Sequence, residues 1–228
     1  MKKFKKLFFA AFLIPGVLSA ALQWDTTAVM LQPTPDQSTI DAVFPFKNTG
    51  PDPVSILSLD ASCSCLSPSS VTGVYDAGQS GVLKVRFNIG SKLGTVVEHV
   101  TVHTTDKANE KVNLRLTINI PVVFKIEPEF LIWDQGGPAD TREAYFYDFT
   151  GKGLKPTTVY STDANFTAVL VPELDQKRYA IRVTPGSTDA EIGTSIYMDV
   201  DMGGGKIRKV KILGIVKAPG HDRVRVSD

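Results

Sequence analysis

Apolar residues in this chain recur at every second position in short runs, and no stretch after the first twenty residues keeps the three-to-four spacing of a helix. Val82-Leu83-Lys84-Val85-Arg86-Phe87 and Val112-Asn113-Leu114-Arg115-Leu116-Thr117-Ile118 alternate most cleanly. On an extended backbone successive side chains face opposite ways, so such a run has one buried and one wet face. Leu22 to Asp25, Ala28 to Leu31, Ile40 to Phe46, Val54 to Leu59 and Val96 to His103 also suit strands. Turn-forming clusters separate them at Pro33-Thr34-Pro35-Asp36, Asn48 to Pro53, Asp76-Ala77-Gly78 and Asp106 to Asn109. About seven strands in roughly a hundred residues is the count expected of an immunoglobulin-like β-sandwich. The fold class is all-β.

The pattern then runs a second time. Leu131-Ile132-Trp133-Asp134 echoes Leu22-Gln23-Trp24-Asp25, Ala144 to Gly151 echoes Val43 to Gly50, and Thr162 to Asn165 echoes Leu59 to Ser62. Tyr179 to Val183, Gly193-Thr194 and Val210 to Val216 stand where Val82 to Phe87, Gly94-Thr95 and Val112 to Ile120 stood. Echoes in a fixed order at similar spacing predict two tandem immunoglobulin-like β-sandwich domains. Their expected limits are residues 22–121 and 122–218, with a polar tail at 219–228. Trp24 and Trp133 are expected at corresponding positions near the start of each core.

The chemistry concentrates in Ala42 to Leu66, which carries the two cysteines, Cys63 and Cys65. Residues two apart on an extended strand share a face, so the pair is expected side by side at a strand end and within reach of solvent. Two thiolates favour Cu(I) or Zn, although two ligands do not close a tetrahedral site. His99 and His103 lie roughly 13 Å apart along an extended strand, so at most one could join them. A Cys63–Cys65 disulfide is the redox alternative; on a strand the Cα atoms would stand about 6.6–6.8 Å apart, at the edge of disulfide range. Two small buried residues with no chemistry are the third reading. Setting Asp60 on Asp163 puts Phe166 at the position of Cys63 and Ala168 at that of Cys65, so the scaffold is expected to accept apolar groups there.

Phe46-Lys47-Asn48-Thr49-Gly50, Ser62-Cys63-Ser64-Cys65-Leu66, Ala77-Gly78-Gln79-Ser80-Gly81, Lys92-Leu93-Gly94 and Val102-His103-Thr104-Thr105-Asp106 follow one another in that order. The set resembles a bacterial family of unknown function with an N-T-G … S-C-G-C-T … P-G-E … G … T-N-D signature, which is similar to the immunoglobulin-like ASH (ASPM–SPD-2–Hydin) domains. The resemblance covers about Leu22 to Ile120. Ser64 replaces the glycine between the cysteines, Leu66 the threonine and Gln79 the acidic residue. The resemblance implies an ASH-like sandwich and implies no activity.

Other candidates have plainer explanations. Gly203-Gly204-Gly205-Lys206 lacks the spacing of a phosphate loop and suits a hairpin turn. Asp199 and Asp201 share a face but fall short of a Ca²⁺ shell. Asn165-Phe166-Thr167 fits an N-glycosylation triplet, against which a strand location argues. Arg223, Arg225 and His221 fall in the polar tail. No nucleophile–base spacing stands out, so no enzyme is expected.

Composition bears on location and partners. Residues 1–21 read as a signal peptide: Lys2, Lys3, Lys5 and Lys6, then the apolar Leu7 to Leu18, then Ser19-Ala20-Ala21. The apolar run is too short for a permanent membrane helix, and an uncleaved anchor is the alternative. The mature protein is expected to be exported, periplasmic or extracellular, with no stable membrane insertion. A net charge of +1 argues against nucleic acid or an anionic membrane as partner. The expected role is a non-catalytic binding or structural module for another envelope or extracellular protein, without a cofactor. The rival role is copper binding or thiol redox at Cys63 and Cys65, with a copper ion as its possible cofactor.

Overall fold

A computed structural model describes residues 22–173 and 178–219. The expected signal peptide and nearly all of the polar tail lie outside the described residues. The first half contains β1 (Leu22–Trp24), β2 (Ala28–Leu31), β3 (Thr39–Asn48), β4 (Val54–Ala61), β5 (Leu66–Pro68), β6 (Gly73–Tyr75), β7 (Ser80–Asn88), β8 (Gly94–Thr104) and β9 (Lys111–Ile120). The second contains β10 (Phe124–Glu127), β11 (Phe130–Asp134), β12 (Arg142–Asp148), β13 (Lys155–Ser161), β14 (Phe166–Glu173), β15 (Arg178–Pro185), β16 (Ile192–Asp201) and β17 (Ile207–Lys217). Among the described residues no helix is long and apolar enough to cross a membrane.

The strands make two immunoglobulin-like sandwiches of one topology, save that β6 has no counterpart among the described residues of the second. In the first, a sheet ordered β1-β3-β7-β5 faces one ordered β2-β9-β8-β4-β6. In the second, β10-β12-β15-β14 faces β11-β17-β16-β13. Each sandwich therefore sends its first strand into one sheet and its second into the other, where β2 and β11 pair parallel with the last strand. The alternation explains the cores. Six inward residues of β3, β7, β8 and β9, namely Phe44, Phe46, Val85, Phe87, Val100 and Leu116, are fully buried, and their neighbours in sequence are more exposed. Phe124, Trp133, Phe146, Val183, Ile196 and Ile212 do the same in the second core.

Local capping repeats as well. Asn48, fully buried at the end of β3, accepts from Gly50 N at 3.0 Å and donates to the carbonyls of Asp52 and Tyr75 at 2.8 Å each. Asp148 ends β12 in the same way, accepting from Thr150 N, Gly153 N and Leu154 N at 2.8, 2.8 and 3.0 Å. Burying such a polar group is tolerable because its hydrogen bonds are satisfied.

The tryptophan echo is wrong. Trp24 lies in β1 and Trp133 in β11, so the two tryptophans belong to strands of different sheets. The counterpart of β1 is β10, because Leu22 pairs with Asn48 as Phe124 pairs with Asp148. Two similar tetrapeptides had matched by composition and not by place.

Candidate functional site

Residues 62–65 carry the chain from β4, in the five-stranded sheet, to β5, in the four-stranded sheet. So short a crossing needs a tight turn pinned at both ends. Ser62 N donates to His99 O at 3.0 Å, and the Ser62 hydroxyl accepts from His99 N at 3.1 Å, which ties the entry to β8. Leu66 N donates to Cys63 O at 3.3 Å and Asn88 N to Cys65 O at 2.8 Å, which ties the exit to β7.

The cysteines therefore sit in a turn and not on an extended strand. Their Cα atoms are 5.1 Å apart, inside the ordinary disulfide range, and the sulfurs are bonded to each other. Both residues are half-buried and pack on the first core. Closing a three-residue loop removes little chain entropy, roughly 1.5 kcal/mol against about 3 for a fifteen-residue loop. The bond is a weak staple.

Glu98 is the site residue that sequence reading missed. It lies on the inward face of β8 in phase with Val96, Val100 and Val102, which brings it over the end of the core. Its Oε2 accepts from the Ser62 hydroxyl at 2.5 Å, and its Oε1 lies 3.7 Å from Cys65 Sγ. One oxygen of Glu98 and the two sulfurs fall within 4.8 Å of one another. A carboxylate in step with an apolar face was the available signal. His99 is exposed on the opposite face, and His103 pairs with Asp60 at 2.7 Å, so the geometry brings neither histidine to the sulfurs.

In the disulfide neither sulfur is a thiolate, so the metal reading of Cys63 and Cys65 concerns the reduced pair. There the third donor at hand is a carboxylate, harder than Cu(I) prefers and better suited to Zn.

The second sandwich repeats this turn without sulfur. Thr162 N donates to Ser195 O at 3.0 Å, Phe166 N to Asp163 O at 3.1 Å and Gly186 N to Asn165 O at 2.5 Å, in the pattern of Ser62, Leu66 and Asn88. Cys63 and Cys65 thus correspond to Asp163 and Asn165. The expected match to Phe166 and Ala168 is out by three residues, because Asp60 and Asp163 share an identity but not a place in the turn. Asp163 Oδ1 accepts from Asn165 N at 2.8 Å, a hydrogen bond linking the two positions that sulfur links in the first sandwich. Thr194, preceding Ser195 as Glu98 precedes His99, is buried and bonds the hydroxyls of Ser161 and Thr162 at 2.9 and 3.1 Å.

The remaining candidates are engaged structurally. Asn165 lies in the turn and not in a strand; its amide donates to Ser187 O at 2.9 Å and accepts from Ser187 N at 3.0 Å. Gly203, Gly204 and Gly205 all take positive φ in the hairpin between β16 and β17, as the glycine run predicts. Asp201 caps that hairpin through Gly203 N at 2.8 Å, and Asp199 accepts from Thr158 at 3.0 Å.

The first sandwich matches a family model described as "Protein of unknown function (DUF1573)", over residues 22–120. The DUF1573 match includes Cys63, Cys65 and Glu98 and ends with β9; the second sandwich lies beyond it. No curated protein matches the sequence. Similar solved structures include the ASH/PapD-like domain 7 of human CEP192, at 12% identity over 52% of this chain and 98% of that one, TM-score 0.37. The Escherichia coli chaperone DraB is 14% identical over 88% and 97% of the two chains, TM-score 0.36. A protein of unknown function from Porphyromonas gingivalis W83 is 12% identical over 86% and 99%, TM-score 0.34.

Proposed function

We propose that this chain is an exported, non-catalytic binding module whose partner is an envelope or extracellular protein presenting an extended segment. The observation that carries this reading is the edge of β13. In the first sandwich β6 pairs with Val54 to Ile56 and covers the corresponding edge of β4. Among the described residues the second sandwich has no such strand, and β13 pairs with β16 alone. Pro156 and the bulge between Pro156 and Thr158 blunt one end of this edge, leaving Thr158 to Ser161 regular. Beside it stands a cluster of interface type. Tyr160 is 42% exposed with its ring 5.7 Å from that of Tyr197, and Lys209 Nζ lies 4.9 and 5.6 Å from the two rings. Aromatic anchors beside an unpaired strand edge suit recognition of an extended partner strand. The Cys63–Cys65 disulfide supports export, since such bonds persist in oxidising compartments.

The test is site-specific photo-crosslinking in the native host. A crosslinker at Thr158 should capture a defined envelope protein, and Tyr160→Ala should abolish capture without moving the urea midpoint. Equal capture from a control position at Val43, or no capture at Thr158, rejects the reading.

A further inference from the structure

We propose that Cys63 and Cys65 form a redox-active pair, reduced reversibly within the folded protein by an external dithiol, with Glu98 as the positioning residue for the Cys65 thiol. Three observations converge. First, the chain contains its own sulfur-free version of this turn: Asp163 and Asn165 hold the same backbone hydrogen bonds with one side-chain hydrogen bond at 2.8 Å. The scaffold does not require the covalent link. Second, among the described residues one oxygen of Glu98 faces only a sulfur that carries no proton in the oxidised form. Its Oε2 is held by Ser62, which leaves Oε1 facing Cys65 Sγ at 3.7 Å, and a bridged sulfur has no proton to donate. Reduction supplies that proton, and the Cys65 S–H then donates to the carboxylate. The second sandwich, which has no sulfur here, has the neutral Thr194 at this place. Third, both cysteines are half-buried at the end of the sandwich and not sealed inside it.

The chemistry balances as an ordinary exchange. A thiolate of the external dithiol attacks Cys63 Sγ, the sulfur farther along the bridge from the repelling carboxylate. The Cys63–Cys65 bond breaks, and its electron pair leaves on Cys65 Sγ as a proton arrives from solvent, so that no bare thiolate forms beside the Glu98 carboxylate. The second thiolate of the dithiol then attacks its own sulfur in the mixed disulfide and releases Cys63, which is protonated in turn. Two electrons pass to the pair, and the dithiol ends as its cyclic disulfide.

This inference is independent of the β13 edge, and its test uses no partner. The full chain is treated with dithiothreitol without denaturant, and both thiols are followed by alkylation and mass spectrometry while fluorescence reports the fold. Both thiols should appear with the native spectrum intact, and oxidised glutathione should restore the bond. A neighbouring carboxylate disfavours a thiolate, so Cys65 should alkylate at higher pH than Cys63. Glu98→Gln should shift the Cys65 profile down by about one pH unit and leave Cys63 in place. The double substitution Cys63→Asp with Cys65→Asn, copied from the second sandwich, should fold with the native spectrum and accept no electrons. A bond that resists dithiothreitol until the protein unfolds overturns the proposal. So does an unchanged Cys65 profile in Glu98→Gln, or failure of the double variant to fold.

Discussion

Trp24 and Trp133 stand in similar tetrapeptides and meet different surroundings. Trp133 is fully buried, its indole N–H donating to Asp140 O at 2.8 Å and its ring 5.8 Å from that of Phe166. Trp24 is half-buried against Phe46 at 4.8 Å. Removing a large sealed side chain typically costs ~3–5 kcal/mol, because a cavity remains that the surroundings fill incompletely. Trp133→Ala should fall in that range by urea unfolding and Trp24→Ala clearly below it; equal losses would contradict the burial difference. At this scale the sequence was legible where phase alone decides. Leu83, Val85 and Phe87 are buried while Val82, Lys84 and Arg86 face out, as the alternation requires. Glu98 sat in the same phase and went unread, because what it meets is a turn more than thirty residues away in sequence.

Strands were easier to find than their neighbours. The clean runs became β7 and β9, yet no local pattern says that β1 and β2 enter opposite sheets, since that depends on what lies across the core. The cysteine turn escaped for a related reason: a Cys-x-Cys spacing measured along a strand says nothing about a chain that is crossing between sheets. β6 shows an element and a residue adapting together. Phe46 pairs with Gly81, and Tyr75 of β6 packs edge-on to Phe46 at 4.8 Å. A Cβ on Gly81 would overlap the Phe46 ring and lie 2.8 Å from Tyr75 Cε1. In the second sandwich, which lacks that strand among its described residues, Tyr179 pairs with Phe146 and fills the space itself. Gly81→Ala should therefore destabilise the protein by about 1–3 kcal/mol through overpacking. A Gly81→Ala variant with the wild-type urea midpoint would show that the Phe46 ring moves aside without cost.

Between the sandwiches Leu93 packs on the second core, and polar contacts stand beside it. Arg208 of β17 is buried, donates to Lys92 O at 2.6 Å and Pro35 O at 3.3 Å, and lies 5.9 Å from the Phe124 ring; burial lowers its pKa. Lys206 pairs with Asp36, and its hydrogen bond, with help from Thr34, brings the Asp36 carboxyl from 3.8 down to about 2. A carboxyl depressed on folding contributes stability that is present above its ordinary value and lost as pH falls through its folded one. The contact should hold at neutral pH and weaken between 3.8 and about 2. An inter-sandwich distance measured by fluorescence transfer should report that opening, and Asp36→Asn should flatten its pH dependence across the window. The repetition of topology was legible from the order of the echoes, whereas this seam was not, since Asp36 and Lys206 are far apart in sequence and unremarkable in place. The seam also has a direction in time. Pro35 and Lys92 belong to the first sandwich and Arg208 to the last strand of the second, so their contact closes only after both sandwiches have formed. The final strand thus acts as a latch: Arg208 gives up water for two carbonyls that only a folded first sandwich holds in place, and beside a misfolded front half it would stay solvated and leave the seam open.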